Sequence, residues 1–211
     1  MALATRRLRS NIVARMAARI GVFGGTFDPP HVGHLVTAVN VRHALALDRL
    51  LLVVANVPWQ KVGTRTISSA ADRLAMVEAA VGAVPGIEAS AVEIERGGPS
   101  YTADTLAALH AEDPSAELFV VLGADAAAAL ATWERVDEVQ QRASLVVVDR
   151  PGDASPAAPP GWAWTHVEVP RLEVSSTDLR DRVADGRPLD FLLPDAVISC
   201  IRDRQLYGAP A

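Results

Sequence analysis

Two histidines three residues apart, His31 and His34, close the stretch Gly24-Gly25-Thr26-Phe27-Asp28-Pro29-Pro30-His31-Val32-Gly33-His34. At that spacing both imidazoles can point to one side of a first helical turn. Beside a triphosphate they would donate hydrogen bonds that strengthen as charge moves onto a leaving pyrophosphate. The paired glycines remove Cβ atoms where backbone amides approach a nucleotide. A helix that begins near His34 would present its amino end, with its N–H groups and dipole, to phosphate.

The stretch must sit where a first strand turns into a first helix, because Arg19 to Phe23 is apolar and β-branched and an apolar helical pattern follows Gly33. Ligands bind at that end of an open α/β sheet. Strand-like runs occur at Arg19 to Phe23, Leu50 to Ala55, Ile87 to Ile94, Leu118 to Leu122, Leu145 to Val148 and Thr165 to Val169. Helical patterns lie between them at His34 to Leu47, Ala70 to Val81, Tyr101 to Ala111 and Ala124 to Gln141. Ser69 with Asp72 three places on is a capping start for the second helix. Strand and helix alternate, which gives right-handed crossovers and a Rossmann-like parallel sheet with helices on both faces. After Ser175 the pattern is helical, punctuated by Pro188 and Pro194, and predicts a small helical part at the end of the same domain. Residues 19 to 174 form the core in this reading and 175 to 211 the helical part.

Composition sets outer limits. The chain has 211 residues, 50% hydrophobic, with a formal charge of -5. That is enough chain for one real core, and the acidic balance argues against a general nucleic-acid or membrane-surface binder. Cys200 is the single cysteine, so no internal disulfide can form. Asp125 interrupts the most apolar stretch before it reaches membrane-spanning length, and the cytoplasm is the expected address. Residues 1 to 18 read as a disordered extension or an upstream start, with Met16 as the natural one; the five arginines up to Arg19 superficially suggest a transit peptide. Pro151 to Pro160 reads as a surface loop.

Other chemistries compete for the histidine stretch. The dinucleotide fingerprint fails because the glycines are adjacent and no third follows in place. A zinc site would have two ligands in His31 and His34 but no cysteine partner and no HExxH pattern. Two ordinary surface histidines remain the plain reading, although two of the chain's five histidines fall in this one junction.

A second element strengthens the phosphate reading. In Val174-Ser175-Ser176-Thr177-Asp178-Leu179-Arg180, Ser175 can cap a helix with Asp178 at its third position, leaving amides near a nucleotide. Arg180 would project from that helix as a guanidinium fork for phosphate oxygens. Alone, this reads as a capped helix with a solvent-facing arginine.

Together these motifs resemble the nucleotidyltransferases whose T/H-x-G-H motif follows the first strand, and the first stretch looks like the form found in bacterial nicotinate-nucleotide adenylyltransferases. Val174 to Arg180 resembles that family's second signature. The resemblance implies catalytic roles for His31, His34, Lys61 and Arg180. It implies ATP binding by Gly24, Gly25, Thr26, Phe27, Gly33, Gly123, Ser175, Ser176 and Thr177. Lys61, the only lysine, lies in Asn56-Val57-Pro58-Trp59-Gln60-Lys61, where Trp59 and Gln60 replace the family's Pro-His. For the acceptor it implies Ser100, Tyr101 and Thr102 at the pyridine ring, Trp133 stacked on it, and Asp125 at ribose or the reacting phosphates. Glu134 replaces a tyrosine of some relatives, and Arg150-Pro151-Gly152 fits the family's R-P-G. The implied reaction is adenylyl transfer from ATP to nicotinate mononucleotide in NAD biosynthesis, with Mg²⁺ held mainly by ATP phosphates and no assigned protein ligand. Oligomeric state is open. Phosphopantetheine adenylyltransferases share the first motif but are usually shorter and lack the Pro-Ser-Tyr-Thr and Thr-Trp elements. An enzyme that prefers the amide form of the mononucleotide and a catalytically silent nucleotide-binding regulator stay open beside them.

Overall fold

The computed structural model describes residues 17–58, 66–149 and 161–209. The arginine-rich start with Met16, the Trp59-Gln60-Lys61 segment, Arg150-Pro151-Gly152 and the Pro151 to Pro160 loop lie outside the described residues.

Six strands form one sheet in the order β3-β2-β1-β4-β5-β6, every neighbouring pair parallel. They are β1 (Arg19–Gly25), β2 (Arg49–Val54), β3 (Ile87–Ser90), β4 (Glu117–Gly123), β5 (Ala143–Asp149) and β6 (Trp164–Glu168). The central strands are near-continuous apolar runs because both faces are covered. Leu50, Leu52 and Val54 point into one core with Val41, Met76, Leu179 and Ile201. Leu51 and Val53 point the other way, with Leu106, Leu130 and Val139. The order reverses between β1 and β4, so the crevice for a ligand opens beyond their carboxyl ends.

On the first face lie α1 (Val32–Ala44), α2 (Ala70–Val81), α7 (Ser176–Asp185) and α8 (Asp195–Asp203); on the second lie α4 (Thr102–Glu112), α5 (Ala124–Ala128) and α6 (Val136–Arg142). Val197, Ile198 and Ile201 of α8 bury in the cluster that holds Met76 and Val77 of α2, so the terminal helices share the main core. No helix among the described residues is long and apolar enough to cross a membrane.

Three elements differ from the sequence reading. The strand expected over Ile87 to Ile94 ends at Ser90, and α3 (Val92–Arg96) replaces its second half. Val92-Glu93-Ile94-Glu95 alternates like a strand, but helical turning aims Glu93 inward, where the Thr105 hydroxyl donates to it at 2.6 Å. The helix expected over Ala124 to Gln141 is broken into α5, a 3-10 turn at Leu130–Thr132, and α6. Its alanines have helix propensity, but tertiary contacts decide: Trp133 is extended and Arg135 left-handed at φ 52°. The first helix begins at Val32, ahead of His34.

Ser69 caps α2 as expected, accepting from the Asp72 amide at 3.1 Å. Its hydroxyl donates to Asp72 at 2.6 Å, and Arg204 reaches the same carboxylate at 2.8 Å. The Ser69 hydrogen bond, joined by Arg204, outweighs burial and holds the Asp72 carboxyl below its usual value. A carboxyl depressed by folding stabilises above its unfolded pKa, about 3.9, and that stabilisation is lost as pH falls through the folded value. Asp72→Asn should therefore cost about 1 kcal/mol or less at pH 7, since the group is partly exposed and its ion pair is screened by solvent. Urea unfolding of both proteins checks this, with the gap closing in acid below the carboxylate range.

Candidate active site

The stretch from Gly24 to His34 folds back on itself at the end of β1. A Cβ on Gly25 would meet the Phe27 ring at 2.7 Å, so only glycine lets that ring, at φ 50°, tuck beneath the strand end. Phe27 is 2% exposed and lies edge-on to Phe23 and to His34, with ring centroids 6.0 and 5.1 Å apart. It props the His34 imidazole. His31 and His34 do share one side of the turn: their rings stack with centroids 3.8 Å apart.

His34 Nδ1 accepts the backbone N–H of His31 at 3.1 Å. A nitrogen that accepts carries no proton, so in the neutral ring Nε2 is the donor. The backbone thus sets the tautomer and leaves Nε2–H as the polar tip of a side chain that lines the larger cavity.

The second motif docks on the first. Ser175 caps α7, accepting from Asp178 N at 3.1 Å. The Ser176 hydroxyl donates to Pro29 O at 2.9 Å, and Arg180 donates to Asp28 O at 2.8 Å and to Thr177 Oγ1 at 3.1 Å. Asp178 is held instead by Arg182 at 2.6 Å and Arg187 at 3.3 Å, which lower its pKa, the Arg182 hydrogen bond most. Its charge is thereby spent away from Arg180.

Two cavities meet here. The larger, about 830 Å³, takes in His31, His34, Gly33, Phe27 and the α7 residues Ser175 to Thr177 and Arg180. Gly123 and Asp125, from the start of α5, line the same cavity. The smaller, about 250 Å³, is walled by Ser100, Tyr101 and Thr102 on one side and Trp133 and Glu134 on the other, with Gly24 facing it. Gly25, Thr26 and Ala126 line both, so the two adjoin at the reversal of strand order.

Every site residue read from sequence that is described lines one of these cavities, Lys61 lying outside the described residues. Asp125, expected at ribose or the reacting phosphates, lines the larger cavity, and Gly24, grouped with ATP, lines the smaller. Ser100 has a structural duty as well: its hydroxyl accepts Asn56 N at 2.8 Å.

Other residues of the site gave no local signal. Arg73, 1% exposed, donates to four carbonyls: Thr26 at 3.0 Å, Ala55 at 2.6 Å, Asn56 at 3.1 Å and Ser68 at 2.9 Å. It fastens the ends of β1 and β2 to α2. Asp28, 1% exposed, accepts the Tyr207 hydroxyl at 2.7 Å. Burial and this hydrogen bond push the Tyr207 pKa well above its ordinary value, so the phenol stays a donor. These partners are 47 and 179 residues apart, and no local pattern announces them.

A family model described as cytidylyltransferase-like matches residues 22–182, a span that contains both motifs and both cavities. A Corynebacterium kroppenstedtii protein named a probable nicotinate-nucleotide adenylyltransferase is 45% identical over 192 residues, 90% of each chain. The chain belongs to the nicotinate-nucleotide adenylyltransferase family. A Streptomyces coelicolor protein of the same name is 45% identical over 185 residues, covering 87% of this chain and 98% of that one. In fold, the chain resembles the Plasmodium falciparum nicotinic acid mononucleotide adenylyltransferase complexed with NaAD. The TM-score is 0.75 at 15% identity, over 92% of this chain and 98% of that one.

The smaller cavity carries Glu93 and Glu134 in its wall. The amino end of α4, opened by Tyr101 and Thr102, supplies amides of the opposite sign. Arg135 lies close enough to Glu134 for the two charges to interact.

Proposed function

We propose that this chain transfers the adenylyl group of ATP to nicotinate mononucleotide, giving nicotinate adenine dinucleotide and pyrophosphate. The carrying observation is the meeting of a phosphate-type cavity and an aromatic-walled cavity at Gly25 and Thr26. Relatives 41–45% identical over most of the chain carry the corresponding name.

The bond formed joins a 5′-phosphate oxygen of the mononucleotide to the α-phosphorus of ATP. The bond broken joins that phosphorus to the bridging oxygen, which leaves with pyrophosphate. The nucleophile is already anionic, so the protein's work is to position two polyanions and stabilise charge. In this reading His34 Nε2–H, His31, Arg180 and the amino ends of α1 and α7 face the triphosphate, the Val32 amide itself being taken by Leu192 O at 3.1 Å. Trp133 stacks on the pyridine, the start of α4 accepts the carboxylate, and Asp125 reaches ribose. Lys61 supplies a further cation over the phosphates.

Among the described residues no group of three or more His, Cys, Asp or Glu converges as a metal cage. Of the carboxylates lining the larger cavity, Asp28 is bonded to Tyr207 and Asp149 to His166, which leaves Asp125. That donor set fits Mg²⁺ held mainly by ATP phosphates and water, where it would neutralise phosphate charge. A cytoplasmic address agrees with this substrate pair.

Attack at the α-phosphorus has a direct test. ATP with a methylene between its α and β phosphates should bind and inhibit without turnover, whereas the β,γ-methylene analogue should yield the dinucleotide, read by chromatography. Product from the first analogue contradicts this chemistry.

A further inference from the structure

The two walls of the smaller cavity come from segments far apart in sequence, and one carboxylate joins them. Asp104, in the first turn of α4, is in contact with Arg96 through one oxygen and takes Arg135 Nη2 at 2.6 Å on the other. Arg96, the last residue of α3, also donates to Pro99 O at 2.6 Å, next to Ser100. Arg135 follows Trp133 and Glu134 and caps α6 in a left-handed conformation at φ 52°, uncommon for a residue other than glycine. We propose that Asp104 is the positioning residue of the acceptor pocket: by clamping Arg96 and Arg135 it sets the gap between the Ser100–Thr102 wall and the Trp133–Glu134 wall, and hence affinity for the pyridine mononucleotide. This rests on reading the smaller cavity as the pyridine site.

The physical case is one of geometry and charge. Asp104 is 30% exposed, Arg96 27% and Arg135 41%, so the network is partly open to water and each arm is short. Burial alone would raise the Asp104 pKa, but the Arg135 hydrogen bond and charge, then Arg96, outweigh it and hold the carboxyl ionised. Two guanidinium groups meet one carboxylate beside a pocket whose wall carries Glu93 and Glu134, and the Arg135 charge also acts on Glu134 and Glu138. Asp104 itself is absent from the pocket lining, so its effect passes through the walls it joins. None of the three charges lines the larger cavity. Loosening the clamp should therefore be felt by one substrate only.

Asp104→Asn should raise KM for nicotinate mononucleotide by about 10-fold, a displacement of the ring wall by a fraction of an ångström being enough. KM for ATP should stay within about twofold, since the cavity walls it meets are elsewhere. Asp104→Glu, which keeps the charge, should recover most of the loss. Arg135→Met breaks one arm and should show the same selective rise, which keeps the proposal testable if the asparagine variant folds poorly. Equal rises in both KM values, or no change in either in a folded variant, overturn the clamp while leaving the wild-type reaction intact. Failure of the wild-type chain to turn over any pyridine mononucleotide overturns both the clamp and the site reading beneath it.

Discussion

His34→Ala should lower kcat by about 10²- to 10³-fold, the usual loss when a preorganised donor to developing charge is removed. The structure supplies a reason to separate this loss from stability. His34 Nδ1 accepts the His31 amide at 3.1 Å, so the ring also caps α1, and alanine should cost about 1 kcal/mol of stability through that lost cap. His34→Asn divides the two roles, because its short amide can replace Nδ1 as acceptor but does not reach the Nε2 position. Asparagine should regain most of the stability and little of the rate. Pyrophosphate release and urea unfolding, measured on the same three proteins, check both halves. Full activity in a folded alanine variant removes His34 from the chemistry. Because His31 and His34 stack at 3.8 Å, losing both should cost less than the product of the single losses.

Arg180→Met should reduce kcat/KM for ATP by about 10²-fold, with KM for the pyridine mononucleotide changed little. The guanidinium already spends donors on Asp28 O and Thr177 Oγ1, which fixes its plane against the phosphate-binding stretch. Lysine cannot reproduce that fork, so Arg180→Lys should recover less than a tenth of the loss even though the charge is kept. Initial-rate kinetics with each substrate varied in turn give the answer. A lysine variant close to wild type would mean that Arg180 acts only as a point charge. The pattern is the opposite of that expected at Asp104, so the two variants together separate the ATP cavity from the acceptor cavity.

The parts of the site readable in sequence are those where one local segment carries its own geometry. Gly24 to His34 makes a strand end, a turn and a helix start within eleven residues, and Ser175 to Arg180 makes a capped turn with its arginine one turn on. Both are legible because the capping and glycine requirements are short-range. The parallel sheet follows from alternation, since β-α repetition admits few topologies.

The misses lie where distant partners override local preference. Ala124 to Gln141 has the composition of one helix, but Asp104 captures Arg135, and the chain breaks where Trp133 lines the smaller cavity. Val92 to Glu95 alternates as a strand would, but Thr105 draws Glu93 inward. Arg73 looks like any helix arginine in sequence, yet it is buried against four carbonyls from three segments. In each case the deciding partner is not a sequence neighbour.

The choice of acceptor is the claim on which the rest depends. With ATP fixed, pyrophosphate release should be measured against nicotinate mononucleotide, nicotinamide mononucleotide and phosphopantetheine in parallel. The amino end of α4 favours an anionic ring substituent, so nicotinate mononucleotide should give the highest kcat/KM, the amide a lower one, and phosphopantetheine none. No turnover with nicotinate mononucleotide alongside turnover of either other acceptor would contradict the account.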